Sequence, residues 1–598
     1  WGLAWSSRGE CLKRGLGGLA RWAWIQRRNF IPGLATLVLS DACQLLIPQH
    51  IKQGVDAVTG GGPWGVVRNQ AALIMLLTFV TVVMRYLWRH FLFTGARLAE
   101  AELRERLLAH ALALPAAYYS KTRTGDLMAL ATSDLQAVRM ALAMGLVAFF
   151  DATVFALVAL GAMALLDWRL TLWTALPFPF LGLVMFVSLR SIYQRWDAVQ
   201  SANERFTEKV RESLAGMRVL RAYAQEEGDV ADFRRFAQDT YDRHMSYVRV
   251  DAVFQPAIGL LAGMSTAILL GVGGSRVAAG ALSLGGFTAF SAYLAMMAWP
   301  MIAAGWMISL VQRGAASMAR VLDLLDLPPE VESESVEAPV RGCIEARGLT
   351  FAYPGSDAPA LVDVSFRIEP GGSLGLVGEV GSGKSTLTLL LARVYDPPRG
   401  TLFIDGIDVN DIPLSHLRRM VSLVPQEPFL FSDSIAENLR MGRADADDAL
   451  LRQACERAAV HAEIMEFPDG YDTLLGERGI TLSGGQKQRV CLARAMLKTS
   501  PILVLDDTLS AVDADTEASI LRQFEAGDEG AARTSVVVAH RISAVRDAAW
   551  ILVMRDGAVV GQGRHGELLA QEGWYREIYE LQVLEGEGVD AALSEESA

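Results

Sequence analysis

The chain has 598 residues, of which 52% are hydrophobic and 20% charged, and its formal net charge is −12. Length alone would suggest about four soluble domains at roughly 150 residues each, but a mean hydropathy of +0.26 points to a membrane protein. The acidic balance argues against a nucleic-acid-binding role, and five cysteines without paired spacing argue against a disulfide framework or a cysteine metal site.

From the N-terminus, Arg8, Lys13, Arg14, Arg21, Arg27 and Arg28 precede the first of six apolar runs. The runs are Phe30–Ile47, Ala71–Leu92, Ala141–Leu166, Leu170–Leu189, Val253–Val272 and Phe287–Val311. Each is near the roughly 20 residues a helix needs to cross a bilayer, so an all-α, six-helix transmembrane domain is expected. Trp24, Trp88, Trp168 and Trp299 stand near run ends, where interfacial aromatics belong. The long segments Gly95–Arg139 and Arg190–Asp251 are rich in basic residues, whereas Asp167-Trp-Arg169 and Ser275–Leu284 are short with few charges. The positive-inside rule therefore places the N-terminus, both long loops and the C-terminal half in the cytoplasm. A large soluble helical bundle is the competing reading; run lengths and charge asymmetry speak against it. No small-residue cleavage site follows a short apolar core, so a secretory signal is not expected.

Asp151 interrupts the third run, and an ionisable group at that depth is expensive unless it faces a cavity or a partner. Two readings stay open: a substrate or proton role, or a polar staple to another helix, with Arg85 as a possible partner. Pro177, Pro179, Pro256 and Pro300 are expected to kink spans. The resulting boundaries are a cytoplasmic N-terminal segment (1–28), a transmembrane domain (29–325), an acidic linker (326–342), a second large domain (343–584) and an acidic tail (585–598).

Within the last domain, the strand Ser373–Val377 runs into Gly378-Glu-Val-Gly381-Ser382-Gly383-Lys384-Ser385-Thr386 and then an apolar helical stretch to Val394. This is a phosphate-binding loop in its strand-loop-helix setting. Its glycines let backbone N–H groups converge on phosphates at a helix N-terminus, Lys384 reaches the β- and γ-phosphates, and the Ser385 hydroxyl ligands magnesium. Further on, Pro501-Ile-Leu-Val-Leu-Asp506-Asp507 ends a buried strand on two carboxylates, one to hold the metal and one to position a water. The second is an Asp where full-rate hydrolysis would call for a Glu. A displacement of about 1 Å in an attacking group can cost on the order of a hundredfold.

Leu482-Ser483-Gly484-Gly485-Gln486 precedes a helix rich in Gln, Arg and Ala; Tyr353 lies upstream of the phosphate loop, Gln426 between the two, Ser510-Ala-Val-Asp513 after Asp507, and His540 ends the strand Ser535–Ala539. Taken singly, Tyr353 reads as a strand aromatic, Gln426 as a loop amide and His540 as a strand-end histidine. As an ordered set they resemble an ATP-binding cassette, so the second domain is expected to be an α/β P-loop fold. The resemblance implies that Tyr353 stacks on adenine, Gln426 senses magnesium and the γ-phosphate, Asp506 holds magnesium, Asp507 is the catalytic carboxylate and His540 contacts the γ-phosphate. It also implies that Ser483, Gly484, Gly485 and Gln486 act across a dimer on nucleotide bound by the other cassette, and that Asp513 belongs to the nucleotide-binding set.

Tyr118–Leu127, Ser133–Arg139 and Glu212–Ala224 are similar to the cytoplasmic loops of exporter-type ABC half-transporters, whose short coupling helices would fall near Thr122–Ala129 and Lys209–Gly216. Gln426–Phe431 and Gly476–Gly479 would receive them. One phosphate loop and one Ser-Gly-Gly-Gln turn cannot face each other within one cassette, so a second subunit is implied, with ATP and Mg2+ as cofactors. Asp507 makes this chain similar to the weakened subunit of heterodimeric multidrug-type exporters in the cell membrane; an active homodimer, an importer, a channel or a regulator are the alternatives. Amphipathic or hydrophobic drugs, lipids and peptides all fit a cavity lined by apolar, aromatic and Met side chains such as Met296, Met297, Trp299 and Trp306, so the cargo stays open among them.

Overall fold

The structure, a computed structural model, describes residues 2–330, 341–356, 358–476, 479, 481–508, 516–517, 519–520, 523 and 533–584. The chain forms two compact units, one of Trp1–Ala113 with Arg123–Leu327, the other of Leu114–Thr122 with Pro328–Ala598.

The first unit is helical, with long helices at Arg27–Thr59, Trp64–Leu112, Thr124–Ala175, Pro177–Ala215, Glu226–Ile268 and Leu284–Leu325. Among the described residues, four are long and apolar enough to cross a membrane: Arg27–Thr59, Trp64–Leu112, Thr124–Ala175 and Leu284–Leu325. Pro177–Ala215 and Glu226–Ile268 have the length, at 39 and 43 residues, and carry their charged residues toward one end. The expected count of six spans is therefore not established by the helices themselves.

Breaks fall where side chains compete for the backbone. At Asp167 the chain leaves the helix (φ −161°, ψ 105°), and Oδ1 accepts the N–H groups of Arg169 and Leu170, both at 3.1 Å. That is an N-cap, satisfying donors that the first helical turn leaves open. Arg276 from another short connection pairs with the same carboxylate. Asp56, at the end of Arg27–Thr59, accepts Gly285 N–H at 2.9 Å and Ser283 Oγ–H at 3.0 Å. Pro177 occupies the first position of its helix, where a missing N–H costs nothing, and the helical run breaks just before it, between Ala175 and Pro177. Pro256 does lie inside a helix. Three five-residue π-helical turns, Leu130–Asp134, Ala141–Gly145 and Asp151–Phe155, punctuate the third long helix.

The second unit holds ten strands among its described residues: β1 (Ile344–Phe351), β2 (Leu361–Ile368), β3 (Ser373–Gly378), β4 (Leu402–Ile404), β5 (Ile407–Asp408), β6 (Val421–Val424), β7 (Ile502–Asp506), β8 (Thr534–Val538), β9 (Trp550–Arg555) and β10 (Ala558–Gly563). One sheet has the order β2-β1-β4-β5, paired antiparallel; the other runs β10-β9-β3-β8-β7-β6 and is parallel except for β10. β7 and β8 are buried at every residue, as parallel strands covered on both faces must be. One core packs helix Gly484–Leu497 against the β6–β7 side, and a second packs helix Lys384–Leu391 between the sheets. Of the expected docking segments, Thr122 alone belongs to this unit, together with the short helix Ala116–Tyr119; Lys209–Gly216 belong to the first.

Candidate nucleotide site

Open parallel sheets bind ligands outside the carboxyl ends of their strands, and the site residues here are delivered there. β3 ends at Gly378, β6 two residues before Gln426, β7 at Asp506, and β8 two residues before His540. A cavity of about 270 Å³ is lined by Tyr353, the loop from Val380 to Thr386, Gln426, Asp506, Asp507 and His540. Ser483–Gln486 do not line it. Asp513, like the whole Ser510–Asp513 stretch, lies outside the described residues, as do Glu477 and Arg478.

The loop's glycines are required by space and conformation. Gly378 has φ +152°, and a Cβ there would stand 2.1 Å from Met554 O; Gly383 has φ +94°, and a Cβ there would stand 2.6 Å from Ala360 O. With these turns made, Lys384 opens its helix only 5% exposed. Its Nζ donates to Gly378 O at 2.9 Å, Glu379 O at 2.7 Å and Ser382 Oγ at 3.2 Å. Burial pulls the ammonium's pKa below its ordinary value, and Asp507 and Asp506 oppose that shift.

Asp506 is fixed from two sides. Oδ1 accepts Ser385 Oγ–H at 3.0 Å and Oδ2 accepts Thr388 Oγ–H at 3.1 Å. Burial raises its pKa while these two bonds hold it down. Thr388 was not singled out from sequence, although it lies one turn beyond Ser385 on the same helix face. Tyr353 is braced edge-on by Phe351 (5.3 Å) and Tyr395 (5.1 Å), and its hydroxyl is 3.0 Å from Thr386 Oγ1.

Asp507 sits in a left-handed backbone conformation, φ +47°, a region in which Asp is several-fold enriched among non-glycine residues. Its side chain is 13% exposed. Oδ2 lies 3.4 Å from Gln426 Nε2, which donates to it, and 3.8 Å from His540 Nε2. Gln426, 81 positions before Asp507, and His540, well after it in the chain, thus meet at one carboxylate oxygen.

The helix Gly484–Leu497 begins with a reciprocal capping box: Ser483 Oγ accepts Gln486 N–H at 3.2 Å and Gln486 Oε1 accepts Ser483 N–H at 2.9 Å. A Cβ added at Gly484 would meet nothing within 4 Å. This helix end is open toward whatever faces it.

Behind the carboxylate, a second cavity of about 220 Å³ is lined by Asp507, His540, Thr508 and Glu517, among others. Glu517 is 3% exposed, and its Oε2 and Thr508 Oγ1 are buried without a hydrogen-bond partner among the described residues. Burial pushes the Glu517 carboxyl up to about 7, against the pull of Arg541 and with a further push from Asp507. The folded protein therefore holds this proton more tightly than the unfolded chain between about pH 4.5 and 7, so stability falls as pH rises through that window and stays lower above it. In thermal melts of the full chain, Glu517→Gln is expected to melt above wild type by a margin that widens from pH 5 to pH 8, reaching about 2–4 °C. A margin independent of pH would mean that Glu517 is ionised throughout. Nothing in the periodicity or spacing marked this residue.

The chain matches the model of the ABC transporter transmembrane region over residues 30–301 and that of the ABC transporter over residues 361–510. It is 40% identical to the probable multidrug resistance ABC transporter ATP-binding/permease protein YheI of Bacillus subtilis, over 86% of this chain and 88% of that one. With the multidrug resistance-like ATP-binding protein MdlA of Escherichia coli it shares 37% identity over 97% and 99% of the two chains. The ATP-dependent lipid A-core flippase of Thiobacillus denitrificans is 32% identical over 93% and 96%. Among solved structures, a bacterial Atm1-family ABC exporter with ATP bound superposes with a TM-score of 0.76 at 27% identity, covering 93% of this chain and 98% of that one.

Proposed function

The chain belongs to the ABC transporter family, a membrane region joined to an ATP-binding cassette, and from that premise we propose that it is the slower-site subunit of a heterodimeric exporter of amphipathic or hydrophobic compounds. The observation that carries this reading is Asp507, a carboxylate one methylene shorter than Glu at the end of β7, with Gln426 and His540 gathered on its Oδ2. The relatives' names, multidrug resistance proteins and a lipid A-core flippase, support export of apolar cargo.

The site fits ATP. Loop N–H groups and the N-terminus of helix Lys384–Leu391 suit a polyphosphate, and the Lys384 ammonium, now on the Gly378 and Glu379 carbonyls, is placed to turn its protons to β- and γ-phosphate oxygens. Tyr353 offers its ring to the base. The oxygen donors Ser385 Oγ, Asp506 and Gln426 suit Mg2+, a hard cation that takes oxygen ligands; when bound, it neutralises phosphate charge. Asp507 accepts hydrogen bonds, so it orients a water and takes its proton, while His540 and Gln426 hold the carboxylate and the γ-phosphate side of the site. A carboxylate drawn back by one methylene aligns that water poorly, and hydrolysis in this site is slow.

Ser483–Gln486, a capped helix N-terminus apart from the chain's own cavity, complete the site of the second subunit, where a Glu supplies full-rate hydrolysis. The assembly lies in the cell membrane with its cassettes in the cytoplasm. In inside-out membrane vesicles carrying this chain and its co-encoded second subunit, ATP is expected to drive accumulation of a fluorescent amphiphile. If ATP moves neither amphipathic dye, phospholipid nor peptide, export is the wrong reading and a channel or regulator takes its place.

A further inference from the structure

The cavity of about 220 Å³ behind Asp507 lies where β7 and β8 end, and among the described residues its wall is apolar apart from Asp507, Thr508, Glu517, His540 and Arg541. Two of these side chains are more than nine-tenths buried, Glu517 at 3% and Thr508 at 2% exposure. Each also carries a buried oxygen, Oε2 and Oγ1, with no hydrogen-bond partner among the described residues. One such atom is costly to bury. Two that open onto one cavity have a common explanation in a bound water. A water needs about 10–15 Å³ of accessible space and two to four polar partners, and this cavity supplies both.

Donor and acceptor types dictate how that water bonds. An ionised Asp507 only accepts, and it already takes Gln426 Nε2–H from the other side. Burial keeps Glu517 a neutral carboxyl up to about pH 7, and a neutral carboxyl has an O–H to give. A water that accepts from Glu517 and from Thr508 Oγ1–H keeps both of its own protons to donate, and Asp507 is the acceptor across the cavity. The other charged groups here act in known directions. Arg541 draws Glu517 toward ionisation, Asp507 opposes it, and His540 stands on the Asp507 side, Nε2 lying 3.8 Å from Oδ2.

We propose that Glu517 is a positioning residue for Asp507: as a neutral donor, with the Thr508 hydroxyl, it holds a buried water that donates to the Asp507 carboxylate and aims it at the attacking water. Glu517 touches no reacting atom and acts through Asp507 alone. This role rests on the reading of Asp507 as the carboxylate that orients the attacking water, and it adds the rear support that a short side chain at φ +47° has to have. Ionisation of Glu517 removes the donor and puts a second negative charge behind Asp507. Turnover in this site therefore falls as pH rises through about 7.

The test uses the full chain in nanodiscs with its second subunit, whose own hydrolytic carboxylate is replaced by the amide so that only this chain's site turns over. Release of labelled phosphate is followed from pH 6 to pH 8. Glu517→Gln keeps an N–H donor at every pH, and Glu517→Leu has none. The Gln variant is expected to match wild type at pH 6 and to exceed its kcat by about three- to tenfold at pH 8, with KM for ATP unchanged. The Leu variant is expected to run about tenfold below the Gln variant throughout, and Thr508→Val to lose severalfold at pH 6. Asp507, His540 and Arg541 are common to wild type and the Gln variant, so the ratio of the two isolates Glu517. A ratio that stays constant with pH, or a Leu variant as fast as the Gln variant, overturns the proposal. Should the Leu variant fail to fold, the ratio decides by itself. Asp507→Asn separates the two levels. If it abolishes release while the ratio is constant, Asp507 keeps its role and Glu517 loses the one proposed; if it leaves release intact, the reading of Asp507 falls and Glu517's role with it. No release from the wild-type site at any pH keeps a slow site and overturns the role of Glu517.

Discussion

Asp507→Glu is expected to raise the ATPase rate of the purified chain by about tenfold to a hundredfold, the amount that an attacking group displaced by about 1 Å costs. The wild-type chain alone should be nearly inactive, and a second subunit should restore turnover that disappears when that subunit's own carboxylate is removed. The local backbone supplies an independent marker of the change. At φ +47° Asp is tolerated better than a longer, non-turn-forming side chain, so the Glu variant should gain rate while losing roughly 1 kcal/mol of stability. A gain in rate with a slight fall in melting temperature is hard to produce by a mere folding effect. Brisk hydrolysis by the lone chain, unaltered by Asp507→Glu, would make Asp507 a working base and the protein an active homodimer.

The second large effect distinguishes what this chain does in its own site from what it does across the dimer. In the assembled pair, Gly484→Asp is expected to lower turnover by about 10²- to 10³-fold, comparable to losing a preorganised transition-state contact. The substitution is chosen for its mildness to the fold: a Cβ at Gly484 meets nothing within 4 Å, and a carboxylate in the first turn of a helix favours the helix through its dipole. On the proposed reading, what it does instead is present a negative charge to the phosphates of the nucleotide opposite. Lys384→Ala in the same chain should abolish ATP binding in its own site yet reduce pair turnover by less than about tenfold, because little of the flux passes through that site. ATPase assays of the two single variants in the pair decide the matter. Equal losses would mean two equivalent sites.

The linear order of residues was sufficient for the membrane region, for the cassette and for the contents of its phosphate loop, and the reason is that these signals are local. Gly378, Gly383 and Lys384 act through backbone conformation and a helix terminus within one strand-loop-helix unit, and Ser483 and Gln486 cap a helix across three residues. Apolar run length likewise reports on the bilayer without reference to other elements. Where a run carries its charges at one end, as in Pro177–Ala215 and Glu226–Ile268, length and hydropathy part company, and the number of spans stopped being legible.

By itself, then, the sequence determined the family, and it holds the short contiguous patterns, Asp507 among them, on which the proposed nucleotide chemistry rests. Only the tertiary structure decided which groups touch: that Gln426 and His540 converge on one oxygen of Asp507, that Thr388 shares Asp506 with Ser385, that Glu517 is shut in behind them, and that Asp151 takes Trp299 rather than Arg85 while Ser40 and Asp41 open onto the same cavity. Such contacts arise where the ends of different strands, or the faces of different helices, are brought together by burial of apolar surface elsewhere, and no spacing along the chain encodes them.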